Sequence, residues 1–580
     1  VIRKTEPFEY QKTAIKTASN NLLHNYFCPL FAEMGTGKTI MSLYTAVNFF
    51  ERDKLSTVII VCPKVLVSTW KQQIDEHLDL SELRGSVYAW EGSTRSCSRT
   101  YGFEFEKFLK ASLRFYIINI ESFSASKKNR YLEDELCGRF DKEKTLVLID
   151  ESSKIKSPSA NRTIHLIRFG NQYKYRMILT GTEITNTVLD IFAQFEFLKF
   201  GFWEKVFTFL PFNSFRLIKN WGIFKARYAS LEPQFGAMKP GLRFKINIEE
   251  LNNFIAETRG VIMREDIDCL TMSIFKNEIS TKTIDDVLLR YKNKIDYETL
   301  RSLRTKYGTG REMFDKIVGF KNVNELTNTV QPYIVRLKKK DCLDLPEKIF
   351  QIVELDMPAM LRKIYDTLKH DLYVEYKSKG LSVIQKIALF TRFRQLCGNF
   401  VPVNRQINLD GEIEFVKEAA QYIDDNPKLE YILEESEDTD KKASIWCSFV
   451  PEIEKIKEII SKEYTIETIY GKTKQNEIMT IQNKFRNESR FCCISLSKGA
   501  YGLNLQFCDL SFVYTIPISS EYWRQFQDRH HRVGLKNNVT YKILLYKNSV
   551  EERIYKLNGY KEDLASKFSS MSLDDVFDFI

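Results

Sequence analysis

Glu33-Met34-Gly35-Thr36-Gly37-Lys38-Thr39 is the stretch whose reading decides the fold. Its two glycines let the backbone turn with positive φ and come close to phosphate oxygens. Lys38 can then reach the β and γ phosphates of a nucleotide, and the Thr39 hydroxyl can ligate magnesium. Thr36, between the glycines, belongs to the same cradle. The usual phosphate-loop pattern begins with a further glycine, and Ala32 stands in that place. Taken alone, the stretch can also be a glycine turn before a helix with no nucleotide at all.

Working outward, Asp150-Glu151-Ser152-Ser153 closes an apolar run, Thr145–Ile149. There Asp150 can hold magnesium, directly or through water, and Glu151 can orient or deprotonate the attacking water. Two acids after a strand can equally be a helix cap; the phosphate loop upstream favours catalysis. A third element is Trp523-Arg524-Gln525-Phe526-Gln527-Asp528-Arg529-His530-His531-Arg532-Val533-Gly534. Arg529 and Arg532, three apart, are expected on one helix face. Two guanidiniums projected together suit a triphosphate whose charge spreads in the transition state. A surface basic helix is the alternative.

The flanking pattern predicts two α/β regions. Thr57–Cys62, Phe115–Ile120, Thr145–Ile149 and Met177–Thr180 are largely apolar runs, as parallel strands covered on both faces require. Helical stretches such as Thr39–Phe50 separate them. The alternation predicts a doubly wound domain over residues 1–200, with ligands at the carboxyl ends of its strands. Residues 201–350 mix Phe, Lys and Arg at helical spacing and predict a basic helical insertion and linker. From 351 to 560 the α/β pattern returns, with strands expected at Ser444–Phe449, Thr465–Tyr470, Phe491–Leu496, Leu510–Tyr514 and Tyr541–Tyr546. Residues 561–580 are expected to form a tail.

Bulk properties narrow the function classes. With 43% hydrophobic and 28% charged residues, 580 residues suit two to four ordinary domains. No apolar run approaches the 18 or so residues of a membrane span, so an intracellular, soluble protein is expected, in the cytoplasm of cell or host, with the nucleus left open. The 11 Cys are an odd number without a CxxC spacing, and the 6 His are dispersed. That argues against a disulfide framework and a structural zinc. The net charge of +10 is concentrated in the first part and the middle, which fits a polyanionic partner or simply a soluble surface. Lys338-Lys339-Lys340 is either a further polyanion contact or a solvated turn.

The three elements, in this order, resemble the two-lobed helicase-like ATPases of superfamily two, and the finer pattern resembles their Swi/Snf branch. Glu33–Thr39 is similar to the branch's DEMGxGKT, with Ala32 where the leading Asp would stand. Pro7-Phe8-Glu9-Tyr10-Gln11 resembles its adenine-reading Q motif, and Val61-Cys62-Pro63 with Trp70 its motif Ia. Asp150–Ser157 resembles its DExH segment, and Leu179-Thr180-Gly181-Thr182 with Asn186 its LTGTPxxN. Val335-Arg336 through Leu345-Pro346-Glu347-Lys348 is similar to its linker phrase; Ser497–Leu505 and Gln525–Gly534 resemble motifs V and VI. Ser153 departs from the usual His and Glu183 from the usual Pro.

The resemblance implies two RecA-like parallel-sheet lobes, tandem P-loop ATPase folds, with a helical insertion between them. It implies ATP and Mg2+, with Lys38, Glu151, Arg529 and Arg532 catalytic and Asp150 and Thr39 on the metal. It implies nucleotide contacts from Tyr10, Gln11, Gly35, Thr36, Gly37, Lys38, Thr39, Gly502 and Gln525. Double-stranded DNA is the implied partner, gripped through Lys64, Thr180, Ser448, Lys498 and Asn504 by a motor expected to be monomeric. A translocase is therefore expected; the alternatives are a strand-separating DNA or RNA helicase, and a scaffold that binds DNA with a degenerate ATPase fold. Size and composition suggest a phage, viral or bacterial member.

Overall fold

The computed structural model describes residues 3–90, 99–124, 138–181, 188–205, 214–235, 248–258, 261–263, 313–379, 383–403, 406–407, 413–414, 419–499 and 503–559. It also describes 284, 287–288, 290–291, 294–295, 299, 302–303, 577 and 579. Residues Val1–Gly222 and Asn324–Ile580 form one compact unit, and Ile223–Val323 a second.

The first unit holds two parallel sheets. Lobe one contains β1 (Phe27–Ala32), β2 (Thr57–Cys62), β3 (Gly85–Trp90), β4 (Leu113–Asn119), β5 (Thr145–Asp150) and β6 (Tyr175–Thr180). Their order is β3-β4-β2-β5-β6-β1, and every pairing is parallel. β1, β2 and β5 are buried along their whole length, because helices cover both faces; hence the runs are largely apolar. Ala14, Leu22, Met41, Val47, Trp70 and Ile74, from three helices, pack with strand residues such as Ile60 and Leu148 on one face. The predicted helix after the phosphate loop spans Lys38–Glu51.

The region 201–350 carries helices, among them Ser214–Tyr228, Ile248–Glu257 and Val323–Val330, and also strands that its spacing does not announce. Within the second unit, β7 (Ala229–Phe235) pairs antiparallel with β8 (Met313–Phe320), with an irregularity at Ser230/Leu231. Helix Ile248–Glu257 contributes Leu251 and Phe254 to a small core with Ile262, Ile284, Leu288 and Tyr291. β9 (Val335–Leu337) belongs to lobe one instead. It pairs parallel with β1, Leu30 opposite Val335 and Ala32 opposite Leu337, and becomes the outer strand of a seven-stranded sheet. Three residues are too short for a periodicity to announce them.

Lobe two opens with β10 (Lys348–Leu355). Two short antiparallel pairs follow: β11 (Phe400–Val403) with β14 (Ala419–Tyr422), and β12 (Gln406–Ile407) with β13 (Ile413–Glu414). The main sheet is completed by β15 (Ala443–Cys447), β16 (Ile466–Ile469), β17 (Phe491–Ser495), β18 (Leu510–Val513) and β19 (Val539–Tyr546), in the parallel order β10-β19-β18-β15-β17-β16. All five expected strands are present within one or two residues. β10 was not foreseen: it is an edge strand with one side free, and Ile349, Phe350 and Ile352 stay exposed. Part of the expected tail is packed rather than loose. Phe577 and Phe579 lie edge-on to Tyr373 and Phe390, at 5.3 and 5.4 Å between centroids.

Among the described residues, no helix is long and apolar enough to cross a membrane. The described cysteines are free thiols, and all but Cys342 are buried.

Candidate nucleotide site at the lobe seam

In lobe one, β5, β6 and β1 are neighbours, so their carboxyl ends bring three loops together. The loop after β1 turns on Gly35 and Gly37, at φ +85° and +89°, a region closed to most side chains. A methyl group at Gly37 would collide with the Gln11 amide nitrogen. Gly37 directly precedes the Lys38–Glu51 helix, so free backbone N–H groups and the positive end of the helix dipole face the loop. Thr36 is fully buried, and its hydroxyl donates to the Glu33 carbonyl at 2.7 Å.

The helix Glu9–Asn25 braces this loop from outside. Gln11 donates to the Thr36 carbonyl at 3.0 Å through Nε2 and accepts from the Phe8 N–H at 3.0 Å through Oε1. Tyr10 donates to the same Thr36 carbonyl at 3.1 Å. Phe8 stacks on Tyr10 with rings 5° from parallel and stays exposed, a flat apolar face beside the phosphate loop.

The Lys38 ammonium sits 2.9 Å from the Ala32 carbonyl and close to Gly181 at the end of β6. Burial lowers its pKa, while Glu151 and Asp150 oppose that shift. Asp150 is buried at the end of β5. Its Oδ2 accepts from the Trp70 indole N–H at 2.8 Å, and its Oδ1 accepts from the Glu151 N–H at 2.9 Å. Burial pushes the Asp150 carboxyl up; Lys38, Trp70 and the Glu151 N–H pull it back. Glu151, also buried, has φ +53°. A left-handed glutamate is costly, and such backbone is held where a side chain must be aimed. Ser152 donates to Gln194 at 2.7 Å and fixes the segment from below. Ser153, which stands where the resemblance expects His, is buried in the same turn.

The residues present fit a magnesium nucleotide. No group of three or more His, Cys, Asp or Glu among the described residues could cage a metal. One carboxylate plus the Thr39 hydroxyl is the partial shell that magnesium takes when phosphates and water complete it. Two glycines open a cradle that a Cβ would fill, at a helix N-terminus.

Lobe two supplies the other wall. Helix Ser520–His530 starts at Ser519, whose side chain caps the Tyr522 N–H. Arg529 is buried, and its Nη2 lies 3.8 Å from Met34 Sδ in the phosphate loop. Arg532 does not share the helix, as its spacing had suggested: the helix ends at His530. Its Nε nevertheless donates back to the Asp528 carbonyl at 2.8 Å, and its Cγ approaches to 3.3 Å of where a Gly35 Cβ would stand. Burial lowers its pKa to about 9, with Arg529 adding to the shift. His530 is fully buried beside the Ser444 hydroxyl at 2.9 Å, and burial depresses it to about 3, so it stays neutral. Glu33, Met34, Glu151, Gly181, Gln525 and Asp528 are among the residues that line a cavity of about 820 Å³ at the seam. Tyr10, Gln11, Gly35, Thr36, Gly37, Lys38, Thr39, Asp150, Glu151, Gln525, Arg529 and Arg532 thus converge; Gly502 lies outside the described residues, as do Thr182, Glu183 and Asn186.

The residues expected on DNA are less uniform. Lys64 is exposed, and Lys498 and Asn504 are half-buried. Thr180 is fully buried at the end of β6. The Ser448 hydroxyl is occupied: it accepts from Arg394 Nη2 at 2.6 Å. The Lys338–Lys340 run is neither a uniform polyanion contact nor a solvated turn, since Lys339 is buried. Trp70, Met34, Asp528 and Lys339 are site residues to which the sequence assigns no part in the site, although each stands in a quoted motif or run: Met34 in the phosphate loop, Asp528 beside the arginines, Lys339 among three lysines and Trp70 after Val61-Cys62-Pro63.

Residues 10–220 match the model of the SNF2-related domain, and residues 426–534 that of the helicase conserved C-terminal domain. The chain is 27% identical over 270 residues to an "Uncharacterized ATP-dependent helicase" of Mycoplasma pneumoniae, covering 44% of this chain and 24% of that protein. It is 21% identical over 551 residues to the "SWI/SNF chromatin-remodeling complex subunit snf22" of Schizosaccharomyces pombe, covering 92% and 26%. It therefore spans about a quarter of the length of these curated relatives. A solved "Sulfolobus solfataricus SWI2/SNF2 ATPase core in complex with dsDNA" aligns at 18% identity and TM-score 0.36, over 100% of this chain and 97% of that one.

Proposed function

We propose that this chain, a member of the SNF2-related, helicase-like ATPases, hydrolyses ATP at its lobe seam and uses the cycle to move along double-stranded DNA, remodelling DNA or protein–DNA complexes. The observation that carries the reading is the meeting of Arg529 and Arg532 with the phosphate loop at Met34 and Gly35. Lobe one brings the lysine and carboxylates and lobe two the guanidiniums, so a triphosphate contacts both sets only when the lobes are closed.

In this mechanism Lys38 and the loop N–H groups hold the β and γ phosphates, and Asp150 and Thr39 orient their metal. Magnesium, when bound, neutralises charge on the phosphates. Glu151 takes the proton from, or aligns, the attacking water. Arg529 and Arg532 meet charge as it develops on the transferred group, an effect worth on the order of 10³–10⁵ in rate. Loss of the γ phosphate removes the contacts that favour closure, and the lobes separate. With each lobe holding the duplex backbone, through Lys64 and Thr180 on one side and Ser448, Lys498 and Asn504 on the other, repeated closure advances a monomeric motor. Such contacts go to phosphates and carry little sequence information. For Thr180 and Ser448, the backbone or a released side chain must make the contact.

The test is ATP turnover measured in parallel without nucleic acid and with duplex DNA, single-stranded DNA and RNA. Stimulation by duplex DNA is the expected result. Stimulation by single strands or RNA instead identifies a strand-separating helicase, and no turnover under any condition identifies a non-catalytic scaffold.

A further inference from the structure

The linker between the lobes places one buried cation where it touches both. β9 runs beside β1, the strand that enters the phosphate loop, and Lys339 follows it on a short helical turn, Lys339–Cys342. Its backbone is tied to lobe one: the Lys339 N–H donates to Glu33 Oε2 at 2.8 Å, and the Glu33 N–H donates to the Leu337 carbonyl at 3.0 Å. Its side chain crosses to lobe two. Nζ donates to Asp528 Oδ1 at 2.5 Å and to the His531 carbonyl at 2.9 Å. The neighbouring lysines, Lys338 and Lys340, are exposed, whereas Lys339 is 8% exposed.

Both acceptors are adjacent to the arginines. Asp528 directly precedes Arg529, and its carbonyl holds Arg532 Nε at 2.8 Å; His531 directly precedes Arg532. Lys348, at the start of β10, stands 3.5 Å from the same Asp528 carboxylate and anchors it within lobe two. Burial lowers the Lys339 ammonium to about 8 while Asp528 holds it up; the two lysines and Arg529 hold the Asp528 carboxyl below its usual range against its own burial. A buried ammonium tied in this way is expensive unless its partner is in place, so it favours one lobe arrangement over others.

We propose that Lys339 is a positioning residue for hydrolysis, a clasp from the lobe-one linker that seats Arg529 and Arg532 against the phosphate loop. The inference rests on the ATPase reading above and adds to it a residue on the wall of the same cavity whose ammonium is engaged by Asp528 and the His531 carbonyl. A misplacement of about 1 Å in such groups can cost on the order of 100-fold in rate, which is the scale expected here.

The experiment compares Lys339→Met, Lys339→Arg, Asp528→Asn and the Lys339→Met/Asp528→Asn pair with the unsubstituted chain, using DNA-stimulated ATP turnover, nucleotide affinity and melting temperature. Lys339→Met is expected to lower kcat by about 10- to 100-fold with KM for ATP changed less than about threefold. Lys339→Arg should recover most of the loss, since a guanidinium can reach both acceptors, and the double variant should be no worse than the poorer single one. Unchanged kcat in Lys339→Met, a loss confined to KM, or additive losses overturn the proposal. A second measurement covers a folding defect or a chain without turnover: the interlobe distance between dyes on cysteines introduced at the exposed positions Lys54 and Lys441. If the unsubstituted chain hydrolyses no ATP with any nucleic acid, the functional reading fails and the clasp is judged on that distance alone. A longer or broader distance in Lys339→Met supports it, and an unchanged one overturns it.

Discussion

At the scale of single residues, the site divides into groups that hold charge and groups that hold those groups. Lys38 and Arg532 belong to the first kind and face the loop from opposite lobes. Lys38→Ala should abolish turnover, because the loop loses its phosphate cation. Arg532→Ala should lose hydrolysis by on the order of 10³-fold or more while nucleotide affinity persists; filter binding with a slowly hydrolysed analogue separates the two. Trp70 is of the second kind. Its indole N–H and Lys38 favour the charged form of a buried Asp150 whose carboxyl is already raised. Trp70→Phe removes one of those supports and raises the carboxyl further. In the proposed metal role the carboxylate is the working form, so activity lost on acidification is lost at a higher pH: the acid limb of kcat/KM should move upward and more magnesium should be needed. An acid limb that stays in place would count against Asp150 as the titrating metal ligand.

At the scale of elements, lobe two is organised around a buried ion pair linking the helix Pro427–Glu437 to the helix Val550–Gly559. Lys428 Nζ lies 2.7 Å from Glu551 Oε2, both with essentially no exposure, and also donates to the Tyr514 carbonyl at 2.8 Å. The ammonium lies 4.8 Å from the Tyr546 ring centroid. Burial raises the Glu551 carboxyl and Lys428 opposes it. Removing one partner leaves an uncompensated buried charge, so Lys428→Met should destabilise by about 3–5 kcal/mol. Lys428→Met with Glu551→Leu should recover much of it, as read by chemical denaturation of the lobe-two transition. Equal loss in single and double variants would place the stabilisation in packing around Tyr514 and Tyr546, not in the pair.

At the scale of the whole molecule, the proposed cycle of catalysis and movement depends on two parallel sheets. The net charge of +10 and the proposed contacts of Lys64 and Lys498 predict a grip on DNA that is mainly electrostatic. Affinity for duplex DNA should fall steeply and linearly on a log–log plot between about 50 and 200 mM salt, as counterions are released; it should differ little among duplex sequences. Fluorescence anisotropy over a salt series checks this, and a flat response contradicts a backbone grip.

The sequence by itself determined the two α/β lobes and the glycine turn with its lysine that opens the first helix of the seam. Buried parallel strands need largely apolar runs, and a phosphate cradle needs Gly35, Gly37 and Lys38 in one short order, so both are written locally. Tertiary structure decided what depends on distant partners. The short β9 exists as a strand because β1 offers its edge, and Arg532 reaches the loop by bonding back to Asp528 beyond the end of its helix. Ser448 is held by Arg394, 54 residues away. Lys339 is one of three consecutive lysines until folding buries it against a carboxylate 189 residues distant. Charge and composition are the same for all three; only the packing of one lobe on the other distinguishes them.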